Sequence, residues 1–190
     1  MTINKKLTFI SLFSGAGGFK IGFEEAGFQC LLSSDIEKTS EKTHLKNFEN
    51  SPFLLQDIRT ITSSQILKLT KNNKPDVIIG GPPCQGFSVA GKGLNFEHPQ
   101  SKLFFEFVKI YKYHFKRNPK LKLLFENVRM KKEWQDIILN TLQEINPNLK
   151  LYMINSSIVS AQNRVRMYIT DFEFDIPKDR GIKLKDIIEC

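Results

Sequence analysis

The alternation of short apolar runs with helical segments constrains this chain more than any other feature of its sequence. Apolar runs of strand length lie at 7–13, 28–34, 53–56, 75–81, 121–128, 150–159 and 164–172. Segments of helical character separate the first six runs, at 19–26, 36–48, 63–72, 103–115 and 131–146. This order predicts an α/β fold with a doubly wound, mainly parallel sheet and helices on both of its faces. The last two runs predict a C-terminal antiparallel strand pair.

Length and composition indicate one soluble domain. The chain has 190 residues, of which 41% are hydrophobic and 25% charged, as in ordinary globular proteins. No apolar run approaches the ~20 residues of a membrane span. The N-terminal apolar stretch leads into a glycine-rich turn rather than a small-residue cleavage site, so export is not predicted.

The three cysteines and the net charge bear on compartment and partners. Cys30, Cys84 and Cys190 form no CxxC pair and no zinc-binding pattern. They indicate a reducing cytoplasm, no bound metal and a reactive rather than a bridged cysteine. The net charge of +8 favours a partner with a phosphate backbone, although lysine-rich solvated helix faces would also explain it.

Residues of chemical interest follow successive predicted strands. The turn FSGAGG (13–18) follows the first strand, and Asp35, Asp57 and Cys84 follow the second, third and fourth. Glu126 ends the fifth. Ligands of doubly wound sheets bind beyond the carboxyl ends of the strands, so we expect these residues to share one site.

The first three of these features are typical of a nucleoside cofactor site. Glycines let the backbone approach a ligand closely, but GxGxxG is not met because Lys20 stands at the third glycine position. Asp35 is placed to accept hydrogen bonds from ribose hydroxyls, and Asp57 from an exocyclic amine; either could equally be a helix N-cap. No phosphate-binding Lys-Ser/Thr pair is present. We therefore predict S-adenosylmethionine, with Phe13 stacked on its adenine.

The segment GGPPCQGFS (80–88) suggests a nucleophile. Two prolines stiffen the loop directly before Cys84, and a partly exposed cysteine near positive charge acts as a nucleophile. The alternative is a small buried apolar residue. Arg164 and Arg166, two apart on a predicted strand, project from one face. They could orient a substrate, lower the cysteine pKa, hold a phosphate or form a surface pair.

Four segments together resemble the N-terminal motifs of DNA cytosine-5 methyltransferases. They are FISLFSGAGGFKIGFEEAG, DVIIGGPPCQGFS, LLFENV and AQNRVRMYI, in the order of that family, and the resemblance covers about Leu7 to Asp171. It implies the Rossmann-like fold of class I S-adenosylmethionine-dependent methyltransferases and methylation of carbon 5 of cytosine in double-stranded DNA. Thiolate addition at carbon 6 activates carbon 5 for this reaction, and it needs a carboxyl group that protonates N3.

The resemblance implies a role for each matching position. Cys84 is the nucleophile, Glu126 contacts N3 and the amino group of cytosine, and Arg164 and Arg166 support the flipped base. The residues implied in cofactor binding are Phe13, Gly15, Ala16, Gly17, Gly18, Asp35, Ile36, Asp57, Ile58, Pro83 and Leu103. The residues implied in substrate binding are Pro83, Gln85, Ser88, Arg164 and Arg166.

The chain departs from the family in two respects. Ser11 stands where the first motif often has an acidic residue. Family members also continue into a target-recognition region and late motifs, whereas this sequence stops soon after QNRVRMY. We therefore expect an incomplete catalytic domain over 1–175, with 176–190 as the lead-in to the missing region or a tail. We also expect a split or truncated methyltransferase of a restriction-modification system, with a second polypeptide carrying the remainder.

Two other functions stay open on the sequence. One is an RNA (tRNA) cytosine-5 methyltransferase of the same fold. The other is a non-catalytic DNA-binding subunit, against which the intact Cys84, Glu126, Arg164 and Arg166 argue. A nicotinamide-dependent oxidoreductase is disfavoured by the missing third glycine.

Overall fold

The structure, a computed structural model, describes residues 6–83 and 102–188. Its strands are β1 (Thr8–Leu12), β2 (Gln29–Asp35), β3 (Phe53–Leu55), β4 (Val77–Gly80), β5 (Lys122–Val128), β6 (Lys150–Asn155) and β7 (Val165–Thr170). Its α-helices are α1 (Gly18–Glu25), α2 (Lys38–Asn47), α3 (Ser63–Leu69), α4 (Lys102–Arg117) and α5 (Lys132–Gln143). None of the helices in these ranges is long and apolar enough to cross a membrane.

The strands form one seven-stranded sheet in the order β3-β2-β1-β4-β5-β7-β6. Neighbouring strands from β3 to β5 are parallel, and β7 runs antiparallel to both β5 and β6. The predicted mainly parallel sheet and the C-terminal antiparallel pair are thus confirmed. The chain order reverses between β1 and β4, which is the place where such sheets bind ligands.

Helices cover both faces of the sheet, as predicted. Successive side chains of a strand point to opposite faces. On one face Phe9 of β1 and Ile79 of β4 pack with Phe23 of α1. On the other, Ile10 of β1 belongs to a larger cluster that contains Phe107 of α4. Because both faces are covered, every residue of β1 and β4 is buried.

Two of the predicted elements that are longer than the observed ones have a clear local cause. The strand predicted to reach residue 159 ends at Asn155, because the next residues form a 3-10 turn at 156–158. The Asn155 side chain accepts hydrogen bonds from the backbone N–H groups of Ser157 (3.2 Å) and Arg164 (2.9 Å), which bends the chain there. The helix predicted over 63–72 ends at Leu69, since the residues at 71 and 72 have positive φ.

Candidate active site

A pocket of about 600 Å³ opens at the carboxyl edge of β1 to β4, beside the point where the strand order reverses. The structure brings seven of the predicted cofactor residues to its wall: Phe13, Asp35, Ile36, Asp57, Ile58, Pro83 and Leu103. Sequence reasoning missed five further lining residues: Ser34, Glu37, Gln56, Arg59 and Gly81. Four of these five lie within two residues of Asp35 or Asp57 in the sequence, and this proximity could have identified them as lining residues.

The glycine-rich turn lies next to this pocket and is tied to it through Asp35. Gly15 donates its backbone N–H to Asp35 Oδ2 at 2.8 Å, and Glu37 donates its own to Asp35 Oδ1 at 3.0 Å. Gly15 and Gly17 have positive φ, as does Phe13 (φ 55°), which is uncommon for a residue with a bulky side chain. The predicted Gly15, Ala16, Gly17 and Gly18 are not among the residues that line this pocket. The ribose contact of Asp35 stays a prediction.

Asp57 lies two residues after the end of β3. It accepts a hydrogen bond from the Arg59 backbone N–H at 2.9 Å, as the cap of a 3-10 turn at 58–60, so the capping interpretation is confirmed. Its side chain also forms an ion pair with the Arg59 guanidinium. Hydrogen bonds from that guanidinium lower the pKa of Asp57 below its ordinary value. The exocyclic-amine contact remains a prediction.

Glu126 and the two predicted arginines meet at the junction of β5 and β7. Glu126 pairs with Tyr168 in the antiparallel register, and its Oε1 lies 3.2 Å from Arg166 Nε and 4.0 Å from Arg164 Nη2. The side chain of Glu126 is 19% exposed. Burial raises its pKa above the ordinary value, and the charges of Arg166 and Arg164 oppose that rise. The carboxyl group therefore holds a proton more readily than a solvated glutamate.

The segment that leads into Cys84 lies directly against Glu126. A Cβ built on Gly81 would be 3.1 Å from Glu126 Oε2, so a larger residue at 81 would require this carboxylate oxygen to shift by a few tenths of an ångström. Gly81 also lines the pocket, and it therefore joins the pocket to the carboxylate. Asn127 donates a side-chain hydrogen bond to the Pro82 carbonyl at 3.1 Å. The predicted residues Cys84, Gln85 and Ser88 lie outside the described residues.

Two further observations concern the sequence-based expectations. Ser11 is buried on β1, and its hydroxyl has no hydrogen-bond partner among the described residues. Within residues 6–83 and 102–188 the structure contains no group of three or more His, Cys, Asp or Glu side chains that could hold a metal ion.

The sheet order and the pocket at its reversal point define a class I methyltransferase fold. The crystal structure of a DNA modification methyltransferase encoded within an E. coli prophage superposes with a TM-score of 0.77, at 26% identity, over 95% of this chain and 54% of that one. Spodoptera frugiperda DNMT2 superposes with a TM-score of 0.65 at 22% identity, which supports the fold alone.

Residues 7–187 match the family of C-5 cytosine-specific DNA methylases, and the chain belongs to that family. Among its relatives, the Type II methyltransferase M.HpaII of Haemophilus parainfluenzae is 33% identical over 98% of this chain and 54% of its own length. M.FnuDI of Fusobacterium nucleatum is 35% identical over 88% of this chain and 47% of its own length. M1.HphI of Haemophilus parahaemolyticus is 50% identical over 56% of this chain and 29% of its own length. The chain thus spans about half the length of M.HpaII and M.FnuDI.

Proposed function

We propose that this chain carries the catalytic site of an enzyme that methylates carbon 5 of cytosine in double-stranded DNA. The observation that carries the proposal is the position of Glu126. Its partly buried carboxyl group, flanked by Arg166 and Arg164, lies against the segment that leads into Cys84 and next to the pocket that Gly81 lines. A nucleophile that follows β4 in the chain and a proton donor on the neighbouring β5 can then act on one pyrimidine ring.

The pocket suits S-adenosylmethionine as the cofactor. Phe13 offers a ring for the adenine, Asp35 and Asp57 offer carboxylate acceptors for hydroxyl and amino groups, and the lining includes the apolar Ile36 and Leu103. Arg59 lines the pocket too, but its guanidinium is paired with Asp57, which agrees with a cofactor without phosphates. When bound, S-adenosylmethionine supplies an electrophilic methyl group.

The protein's own groups prepare the cytosine for methylation. The Cys84 thiolate adds to carbon 6 and forms a carbon–sulfur bond, while the electron pair of the 5,6 double bond makes carbon 5 nucleophilic and N3 takes a proton from Glu126. After methylation a base removes the carbon 5 proton. The thiolate then leaves, the double bond is restored, and the N3 proton returns to Glu126.

The arginines and the net charge contribute to substrate binding. Arg166 and Arg164 restrain the Glu126 carboxyl and support a base that is flipped out of the duplex. The excess of basic residues, +8 in all, favours association with DNA phosphates and makes binding salt-dependent.

The chain spans about half the length of M.HpaII and M.FnuDI. In our proposal, the counterpart of their remaining half completes the enzyme. A second polypeptide in the cytoplasm is the form we predict from the sequence. An apolar surface suited to such a part lies along α1, in an open groove of about 810 Å³. Its aromatic lining residues are Phe19, Phe23, Phe28, Phe172 and Phe174.

A covalent trap tests the chemistry. The chain is purified alone and together with the polypeptide encoded next to it, and each preparation is incubated with S-adenosylmethionine and duplex DNA that contains 5-fluorocytosine. We expect a protein–DNA adduct with the wild type and none with Cys84→Ser. Cys30→Ala, which changes a buried cysteine of the core, should retain the adduct. An adduct in Cys84→Ser, or none in any wild-type preparation, contradicts the proposal.

Methyl transfer to duplex DNA and to transfer RNA separates the proposed substrate from the RNA alternative. We expect transfer to DNA only. Full sequence-specific activity of the chain alone would refute the second polypeptide and leave the chemistry standing.

A further inference from the structure

The glycine-rich turn rests on two aromatic rings at the end of α2. Gly17 has a φ of 99°, and a Cβ built on it would be 2.5 Å from Phe48 Cε2 and 3.6 Å from His44 Nδ1. The first distance is far below any real carbon contact, so the turn backbone lies directly on the Phe48 ring. Gly17 is therefore restricted to glycine by its conformation and also by this contact.

Groups from two helices contact the Phe48 ring. The Lys20 ammonium of α1 lies 4.6 Å from the Phe48 ring centroid, in a cation–π arrangement. Lys20 is only 3% exposed, and its charge is paired with Glu24 one helical turn further on. The His44 ring lies 4.9 Å from Phe48 and 4.7 Å from Phe53 of β3, between centroids.

His44 serves as a flat apolar surface in this stack. It is fully buried, and neither of its ring nitrogens has a hydrogen-bond partner among the described residues. Burial lowers the pKa of His44 below its ordinary value, and the nearby charge of Lys20 lowers it further. The neutral ring therefore packs between two phenylalanines.

We propose that Phe48 and His44 are positioning residues for the cofactor, acting through the turn at 13–18. Neither residue lines the pocket. Their effect reaches it through Gly17, whose N–H donates to the Ser14 carbonyl at 3.0 Å, and through Gly15, whose N–H donates to Asp35. Loss of the ring below Gly17 frees the turn, and the wall of the pocket loses its shape. This inference rests on the proposed binding of S-adenosylmethionine.

Substitution of Phe48 tests the inference. In the preparation that gives full wild-type affinity, Phe48→Ala should raise the Kd for S-adenosylmethionine about tenfold or more, with kcat at saturating cofactor within about twofold. Phe48→Tyr, which keeps the ring, should restore most of the affinity. The matched control is Phe115→Ala in the last turn of α4, where a partly buried ring packs on Tyr111; it should leave the Kd unchanged.

The outcomes separate this inference from the proposed function. A folded Phe48→Ala variant with wild-type Kd overturns the inference, as does a Phe115→Ala variant whose Kd rises equally. If Phe48→Ala does not fold, Lys20→Met decides, because it removes the charge above the ring and keeps the aliphatic stem. We expect it to raise the Kd about threefold, and an unchanged Kd overturns the inference. Absence of cofactor binding in every wild-type preparation refutes the proposed function itself, and the inference with it.

Discussion

The side-chain amide of Asn127 donates a hydrogen bond to the carbonyl oxygen of Pro82 at 3.1 Å, inside the protein. Asn127 directly follows Glu126 on β5, and Pro82 lies two residues before Cys84. This bond therefore ties the strand that carries the proposed proton donor to the segment that leads into the proposed nucleophile.

Removal of this bond should slow methyl transfer. Asn127→Ala leaves the Pro82 carbonyl without its donor, so the segment before Cys84 is less well placed. We expect kcat for methylation to fall about tenfold to a hundredfold, because misplacement by about 1 Å has effects of this size. The measurement is transfer of labelled methyl groups to duplex DNA at saturating cofactor.

Asn146→Ala is the matched control for Asn127→Ala. Asn146 is also a buried asparagine, but its amide donates to Asp171 Oδ2 at 3.2 Å, and neither residue lines the cofactor pocket. This variant should unfold at a lower urea concentration and keep the wild-type kcat. Equal losses of kcat in both variants would show that Asn127 acts only through stability.

Gly81→Ala should lower kcat for methylation with little effect on the fold. Its Cβ would lie 3.1 Å from Glu126 Oε2, so this oxygen would have to shift by a few tenths of an ångström and the carboxyl group would be less well placed beside Arg166. Gly80→Ala provides the comparison, because its Cβ would be 2.2 Å from Phe107 in the core. The second variant should lose about 1–3 kcal/mol of unfolding free energy through overpacking. Urea unfolding and methylation assays of both variants check the contrast, and full activity of Gly81→Ala would contradict it.

Arg166→Gln should raise the pKa of Glu126. Burial already raises this pKa, and the positive charge of Arg166 is the largest opposing influence. Removal of that charge favours the neutral carboxylic acid. If protonated Glu126 supplies the N3 proton, kcat falls as the pH rises through the pKa of Glu126. In Arg166→Gln this fall should therefore occur at a higher pH than in the wild type. A ¹³C NMR titration of the glutamate carboxyl and the pH profile of kcat measure the two effects.

Arg164→Gln should produce the same change to a smaller extent. Its guanidinium is 4.0 Å from Glu126 Oε1 and its side chain is 47% exposed, whereas the guanidinium of Arg166 is 3.2 Å away and its side chain is 20% exposed. Solvent screens the more exposed charge more strongly. A fall of the Glu126 pKa in either variant would mean that the arginines do not act on it by charge.

His114 should make the stability fall in acid. Burial, together with the charge of Arg117, lowers the pKa of His114 from its ordinary 6.5 to about 4. Between these values the unfolded chain binds the proton and the folded chain does not. The contribution of the neutral His114 to the free energy of unfolding is therefore complete above pH 6.5. It is lost as the pH falls toward 4, and the loss is about 3 kcal/mol at most. Urea unfolding at pH 7 and pH 4 should show a smaller loss for His114→Leu than for the wild type, and equal losses would contradict the assignment.

Much of the fold could be predicted because the strands are short, apolar and separated by helical segments. The strand order could not, since it depends on pairing between distant parts of the chain. The insertion of β7 between β5 and β6 is the clearest case, because sequence patterns predict an antiparallel pair but not which member joins the sheet. The end of β6 was also missed, since the Asn155 side chain competes with strand pairing only once Arg164 is in place.

Site residues that directly follow a strand could be predicted from the sequence. Contacts that depend on how two strands pair could not. Phe13, Asp35 and Asp57 reach one pocket because their strands end at one edge of the sheet. The contact between Gly81 and Glu126 follows from the pairing of β4 with β5, which no local pattern reveals. The left-handed backbone of Phe13 is likewise set by its surroundings.

The place of β7 in the sheet has a consequence for synthesis on the ribosome. In the described sheet β6 pairs only with β7, so a nascent chain that has reached residue 160 has made β6 but no neighbour for it. Residues 165–170 supply both the strand that pairs with β6 and Arg166 beside Glu126. The ribosome therefore has to deliver almost all of this chain before the proposed proton donor acquires its arginine neighbours.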